Sequence, residues 1–328
     1  MPQKSALFGV SRIRSAERAL ISRERMARLA ELSAADALRS LVESGYGTLP
    51  EATPEDSEAL IASELAHASE LVREVTTDEE QTNLFFMEAD IHNLKLLLKL
   101  RLTGSAQEPA LAAGGVYDAR LLARCVEEAD YSPLPETIKA ALDEIERNVA
   151  CGAIDPAALS AVLDDAYIRF AYEKGDAFVK RYFRVFADFT NVATLLRVRA
   201  MKGARERFLS LLLAPGDVSH DALAAAFELA DDALIRALCD APGRDALARS
   251  MEIALKTGRI SALERERDDA LMRLATAHKP ETDTIGPIYG YLLAKKQEAR
   301  DLRLILTAKR NGLSREVIDE RMRLLYGE

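Results

Sequence analysis

DIHNLKLLLKLR, residues 90–101, returns as DFTNVATLLRVR at 188–199 and, more loosely, as EARDLRLILTAK at 298–309. Each stretch begins with an acid: Asp90, Asp188 or Glu298. Three residues on comes Asn93, Asn191 or Asp301, then apolar side chains at four, seven and eight, and at eleven a cation, Arg101, Arg199 or Lys309. A glycine-bearing break and a second short element follow each time: VYDARL from Val116, VSHDAL from Val218 and LSREVI from Leu313. One register held through two consecutive elements marks an internal repeat. The economical division is three helical units, residues 1–113, 114–214 and 215–328.

On a helix, the position eleven residues later lies roughly 20° from the start, so Asp90, Leu94, Leu97 and Arg101 share one stripe about 16 Å long. The charges at its two ends are too far apart to pair. Each must find a partner on another element if it is buried, or both ends fray into water.

The rest of the chain agrees with helices. Of 328 residues, 48% are hydrophobic, 30% charged and only 6% aromatic, and no alternating β-branched or aromatic runs lie between hairpin turns, so the expectation is an all-α protein. Helix starts are marked at Thr53-Pro54 with Asp56, at Thr77 with Glu80, and at Asp155-Pro156, where a side-chain acceptor meets free N–H groups. Breaks fall at Gly45–Pro50, Thr103–Gly115, Tyr131–Pro135, Ala214–Asp217, Ala241–Gly243 and Pro280–Pro287.

A net charge of -9 argues against nucleic acid as a ligand. The charge is uneven: Lys4–Arg28 is basic, Glu51–Glu80 acidic and the last helices rich in arginine, which gives solvated faces or patches for charged protein partners. Cys125, Cys151 and Cys239 form no C-x-x-C pair and read as free core thiols. The N-terminus lacks the apolar stretch of a signal peptide, and no run approaches the roughly 18 apolar residues that span a bilayer.

Catalytic motifs are missing. His67, His92, His220 and His278 have no metal-ligand spacing, and neither a phosphate-binding glycine loop nor a G-x-S-x-G elbow is present. Three Asp-Asp pairs, at Asp164, Asp231 and Asp268, bring to mind the D-D-x-x-D magnesium site of terpenoid synthases. In each, the carboxylate one turn later is replaced by an apolar residue, so helix-start acids favoured by the macrodipole are the plainer reading. No cofactor, metal or catalytic residue is expected.

Taken with the spacing of the repeats, the chain resembles the C subunits of the bacterial and archaeal V/A-type ATP synthases and is similar to the d subunits of eukaryotic V-ATPases. The residues that carry the resemblance are Phe8, Val10 and Arg12-Ile13-Arg14 near the start, Tyr46-Gly47, and the three acid-led helices. Gly312-Leu313-Ser314 and Tyr326 complete it at the end. Ser11 before Arg12, Ala193 in place of the first copy's lysine and Asp301 in place of Asn depart from the pattern.

The resemblance implies a pseudo-threefold helical funnel on the cytoplasmic face of a membrane rotor ring. Such a protein receives the central shaft and transmits torque without an active site, in a complex that couples ATP to proton or sodium transport. Its partners would be the shaft proteins and the proteolipid ring, with Arg12, Arg14, Arg101, Arg199 and Lys309 as candidate contacts. Asp90, Asn93, Asp188, Asn191, Glu298 and Asp301 would be structural residues of the repeat. Two other functions stay open on the residues alone: a magnesium-dependent terpenoid-synthase-like enzyme, and a free-standing helical adaptor.

Overall fold

Capping side chains and apolar periodicity divide the chain into α-helices, with no strand among the described residues. The computed structural model describes residues 5–49, 53–104, 109–152 and 155–327. Lys4, Pro50, Glu51 and the middle of the Thr103–Gly115 break lie outside these. In order the helices are α1 (Ala6–Glu17), α2 (Arg23–Glu31), α3 (Ala34–Glu43), α4 (Ser57–Val75), α5 (Glu79–Thr103), α6 (Ala119–Glu128), α7 (Glu136–Ala150) and α8 (Pro156–Lys174). They continue as α9 (Ala177–Ala200), α10 (Arg205–Leu209), α11 (His220–Ala226), α12 (Asp231–Cys239), α13 (Asp245–Thr257), α14 (Ser261–Ala277), α15 (Gly286–Arg310) and α16 (Arg315–Arg321).

Side-chain oxygens open several of them. Ser22, Ser33, Asp118, Asp155, Asp176 and Ser219 each accept a first-turn N–H, satisfying donors that a helix leaves free. The Asp56 carboxylate takes the Thr53 N–H at 2.9 Å and its hydroxyl at 2.7 Å, so a 3₁₀ turn leads into α4. The start expected at Thr77 lies one residue on: the Gln81 N–H donates to Asp78 Oδ1 at 3.0 Å, because a carboxylate outcompetes a threonine hydroxyl as an acceptor.

The chain forms two compact units, residues 1–82 with 271–328, and residues 83–270. In the first, α15 packs on α1, α2, α3, α4 and α16. Its core joins Met26, Leu29, Leu38, Leu41 and Leu60 to Leu302, Ile305 and Ile318. The second has an aromatic cluster in which Phe85 stacks on Phe183 at 5.9 Å and Tyr167 meets Phe183 edge-on at 5.1 Å. The Tyr167 hydroxyl donates to the Leu84 carbonyl at 2.6 Å, as a buried phenol requires. A further core gathers α9 with α11, α12 and α13 around Val192, Leu196, Leu234 and Met251.

Two readings of single residues change. Only Cys125 is a core thiol, since Cys151 is exposed and Cys239 half-buried. Asp164-Asp165 and Asp268-Asp269 lie inside α8 and α14, not at helix starts, and only Asp231-Asp232 opens a helix. The inner pairs are held by ion pairs. Lys95 binds Asp164 at 2.7 Å, Arg169 binds Asp165 at 2.6 Å and Arg267 binds Asp268 at 2.9 Å. These carboxylates are met by side-chain cations, not by the free N–H groups of a helix start.

Candidate functional site

The acid-led stretches sit on the long helices α5, α9 and α15, and in the first two the acid and the asparagine clamp the segment that returns to the helix. Asp90 accepts the N–H groups of Val116 at 2.7 Å and Tyr117 at 3.3 Å, while Asn93 both donates to the Ala112 carbonyl and accepts its N–H, at 2.9 and 2.8 Å. Asp188 accepts from Asp217 at 3.0 Å and Val218 at 2.9 Å, and Asn191 pairs with both backbone groups of Leu213, at 3.1 and 2.9 Å. A loop carrying unsatisfied backbone groups could not lie against a helix this closely, and these four side chains satisfy them.

Close approach also fixes two glycines. A Cβ on Gly115 would stand 2.0 Å from Asp90 Oδ1, and one on Gly216 would stand 2.4 Å from Asp188 Oδ1. The sequence shows glycine in both breaks, and the clamp explains why it is needed there. Burial pushes the Asp188 carboxyl up to about 6, against the pull of the Val218 and Asp217 amides, which favour its charge.

On α15 the clamp is built from both ends of the chain. The Ile21 N–H donates to Glu298 Oε2 at 2.7 Å. Ile21 therefore holds the place of Val116 and Val218, and like them it shortly precedes a capping residue, Ser22, where the others have Asp118 and Ser219. The Arg323 backbone N–H points at the Asp301 carboxylate, so Arg323 holds the place of Ala112 and Leu213. The element from Leu313, in register by sequence, instead turns off α15 into α16. The third return segment is thus split between the C-terminal tail and the loop before α2.

This third clamp carries a charge cluster that the repeat does not announce. Lys295 Nζ, 1% exposed as a residue, lies 2.7 Å from Glu64 Oε1 and 2.9 Å from Glu298 Oε1. The second oxygen of Glu64 accepts the Gly47 N–H at 3.0 Å. Burial alone would depress the lysine, but Glu298 and Glu64 hold it above its ordinary value. Burial also pushes Glu298 up, against the pull of Lys295 and the Ile21 amide. One cation is thus shared by two carboxylates, an arrangement that carries a desolvation cost. The pairing is invisible in sequence because Glu64 and Lys295 are 231 residues apart.

The candidate contact cations are placed unequally. Arg101 binds the Val126 carbonyl and the Glu146 carboxylate, which also takes the Tyr131 hydroxyl, so this end of the first stripe is anchored, not frayed. Arg14 binds Glu17 at 2.6 Å. Arg199 reaches Asp231 at 3.4 Å. Arg12 meets Glu74 at 3.5 Å with both side chains about half exposed. Lys309 sits half-buried in the last turn of α15 with no ion-pair partner among the described residues. No described helix is long and apolar enough to cross a membrane.

Known proteins share this chain's length and order. The C subunit of the V-type sodium ATPase of Enterococcus hirae is 22% identical over 324 residues, spanning 96% of this chain and 97% of its own. The C subunit of the A-type ATP synthase of Halorubrum lacusprofundi is 23% identical over 339 residues, 96% of either chain, and that of Haloferax volcanii 22% over 350 residues, 97% of either. The family model for the ATP synthase (C/AC39) subunit matches residues 10–321, which takes in all three acid-led helices. The chain belongs to that family, the non-catalytic C subunits of V/A-type rotary ATPases.

Proposed function

We propose that the chain is a central-stalk rotor protein that joins the central shaft to the membrane proteolipid ring and passes torque between them. It sits on the cytoplasmic face and meets the membrane only through the ring. The observation that carries this reading is the repeated clamp within a chain matched to the family over residues 10–321. Hydrogen bonds stitch each long helix to its return segment, and a part loaded in torsion needs such cross-links more than it needs a cleft. Three units arranged as a pseudo-threefold funnel would give the shaft one socket. The cations then divide by use. Arg14, Arg101 and Arg199 brace their own helices, whereas Arg12 and Lys309 are available to acidic groups on shaft or ring.

Co-purification tests the assignment. The tagged chain, expressed with the shaft and ring proteins of its own complex, is expected to carry both through solubilisation and to support ATP-driven ion pumping. A complex that assembles and pumps without the chain would sink the reading.

A further inference from the structure

The split third clamp lacks a donor that the other two carry. Asn93 and Asn191 each offer a donor and an acceptor to a single backbone residue. Asp301 can only accept while ionised. It takes Gln297 Nε2 at 2.9 Å on Oδ1, and its buried Oδ2 has no hydrogen-bond partner among the described residues. The carbonyl that an asparagine would engage here, that of Arg323, receives Arg23 Nη2 at 3.2 Å instead, which leaves it a second lone pair.

We propose that the joint of the two chain ends on α15 is a pH-sensitive latch: a proton taken from solvent by Asp301 Oδ2 supplies the donor that Asn93 and Asn191 carry permanently, and the joint tightens. The proton completes a hydrogen bond to the Arg323 carbonyl and removes a buried charge in the same step. This inference goes beyond the rotor reading and stands or falls without it.

The surroundings permit the titration. Arg323 of the tail and Arg300 of α15 favour the charged form, but burial outweighs them and pushes the carboxyl up to about 6. Several charges on the elements packed against α15 are already paired. Arg23 of α2 is on the Arg323 carbonyl, Glu64 and Glu58 of α4 are bound by Lys295 and Arg303, and α1 pairs Arg14 with Glu17. On α3 Arg39 pairs with Asp36, and on α16 Arg315 pairs with Asp319. Because the native pKa lies above that of an exposed aspartate, the native joint binds the extra proton over the range between them. Stability is therefore gained as pH falls through about 6 and is complete below the ordinary range.

Hydrogen exchange of the full chain, followed by mass spectrometry and corrected for intrinsic rate, tests the latch. Segments 18–31 and 311–327 are expected to exchange about tenfold more slowly at pH 5 than at pH 7.5. In Asp301→Asn that slope should vanish, with protection at pH 7.5 at least equal to wild type. Asp188→Asn, in the other unit, should leave the slope of these two segments in place. A flat wild-type profile overturns the proposal, and so does a slope that survives Asp301→Asn or is lost in Asp188→Asn. An Asp301→Asn chain that cannot fold overturns it too, since asparagine would then fail where its counterparts succeed.

Discussion

The clamp at Asp188 and the clamp at Glu298 perform one task with different means. On α9 the clamped residues follow within 22 to 30 positions, so loop closure costs little and four neutral or amide-solvated contacts suffice. On α15 the amide held by Glu298 is 277 residues away along the chain, and no short loop delivers it. There the structure adds a buried lysine between two carboxylates. Where covalent connection is short, hydrogen bonds alone close a repeat; where it is absent, charge is recruited at a desolvation cost.

That contrast breaks most readily at Lys295. Lys295→Met leaves the buried Glu298 and the half-buried Glu64 without their cation, and urea unfolding is expected to show a loss of about 3–5 kcal/mol. Lys95→Met removes a partly exposed pair with Asp164 and should cost no more than about 1 kcal/mol. Equal losses in the two variants would mean that the charge cluster does not hold the chain ends.

The hydrogen-bonded clamp should yield less. Asn191→Ala strands both backbone groups of Leu213 in a buried site, for an expected loss of about 2–3 kcal/mol. Asp301→Ala strands the Gln297 amide and the Arg323 N–H but also removes a carboxylate whose charge burial penalises, so at pH 7 it should cost less than Asn191→Ala. A reversed order, read from thermal or urea melts, would show that the third clamp is the stronger one.

Acidity sharpens the same comparison within residues 83–270. The Asp188 carboxyl is pushed up to about 6, above an exposed aspartate, so the native unit takes up a proton that the unfolded chain releases. Its stability should rise by about 1 kcal/mol between pH 7 and pH 5, and Asp188→Asn should flatten that slope. Circular dichroism melts across this range measure it, and a wild-type midpoint that falls with pH would contradict the burial argument.

Much of this was legible in sequence. Acid, asparagine and following element share one register, and Val116 and Val218, picked out as the starts of the second elements, are the very residues whose amides are clamped. The third partner was not legible. Leu313 follows α15 in chain order and fits the pattern, whereas Ile21 is joined to Glu298 only through space. Arg101 likewise reads as a free stripe end until α7 brings Glu146 to it. Sequence periodicity reports which face of a helix is buried, but not which distant segment buries it.

The smallest expected effect concerns the cations, and it separates bracing from docking. Arg12 is about half exposed and held to Glu74 at only 3.5 Å, a pair that contributes little to folding. Lys309 has no ion-pair partner among the described residues. Reversing either charge, Arg12→Glu or Lys309→Glu, should leave helicity and melting unchanged. At low salt it should weaken association with the shaft and ring proteins about threefold, mostly through a slower encounter. Near 1 M salt, where screening acts within about 3 Å, the difference should disappear. Arg101→Glu would place a second carboxylate beside Glu146 and leave the Val126 carbonyl without its donor, so its defect should appear as lost stability at every salt concentration. Surface plasmon resonance over an ionic-strength series, run beside thermal melts, tells the two apart. If Arg12→Glu melts early and Arg101→Glu only binds weakly, the assignment of bracing and docking residues is inverted.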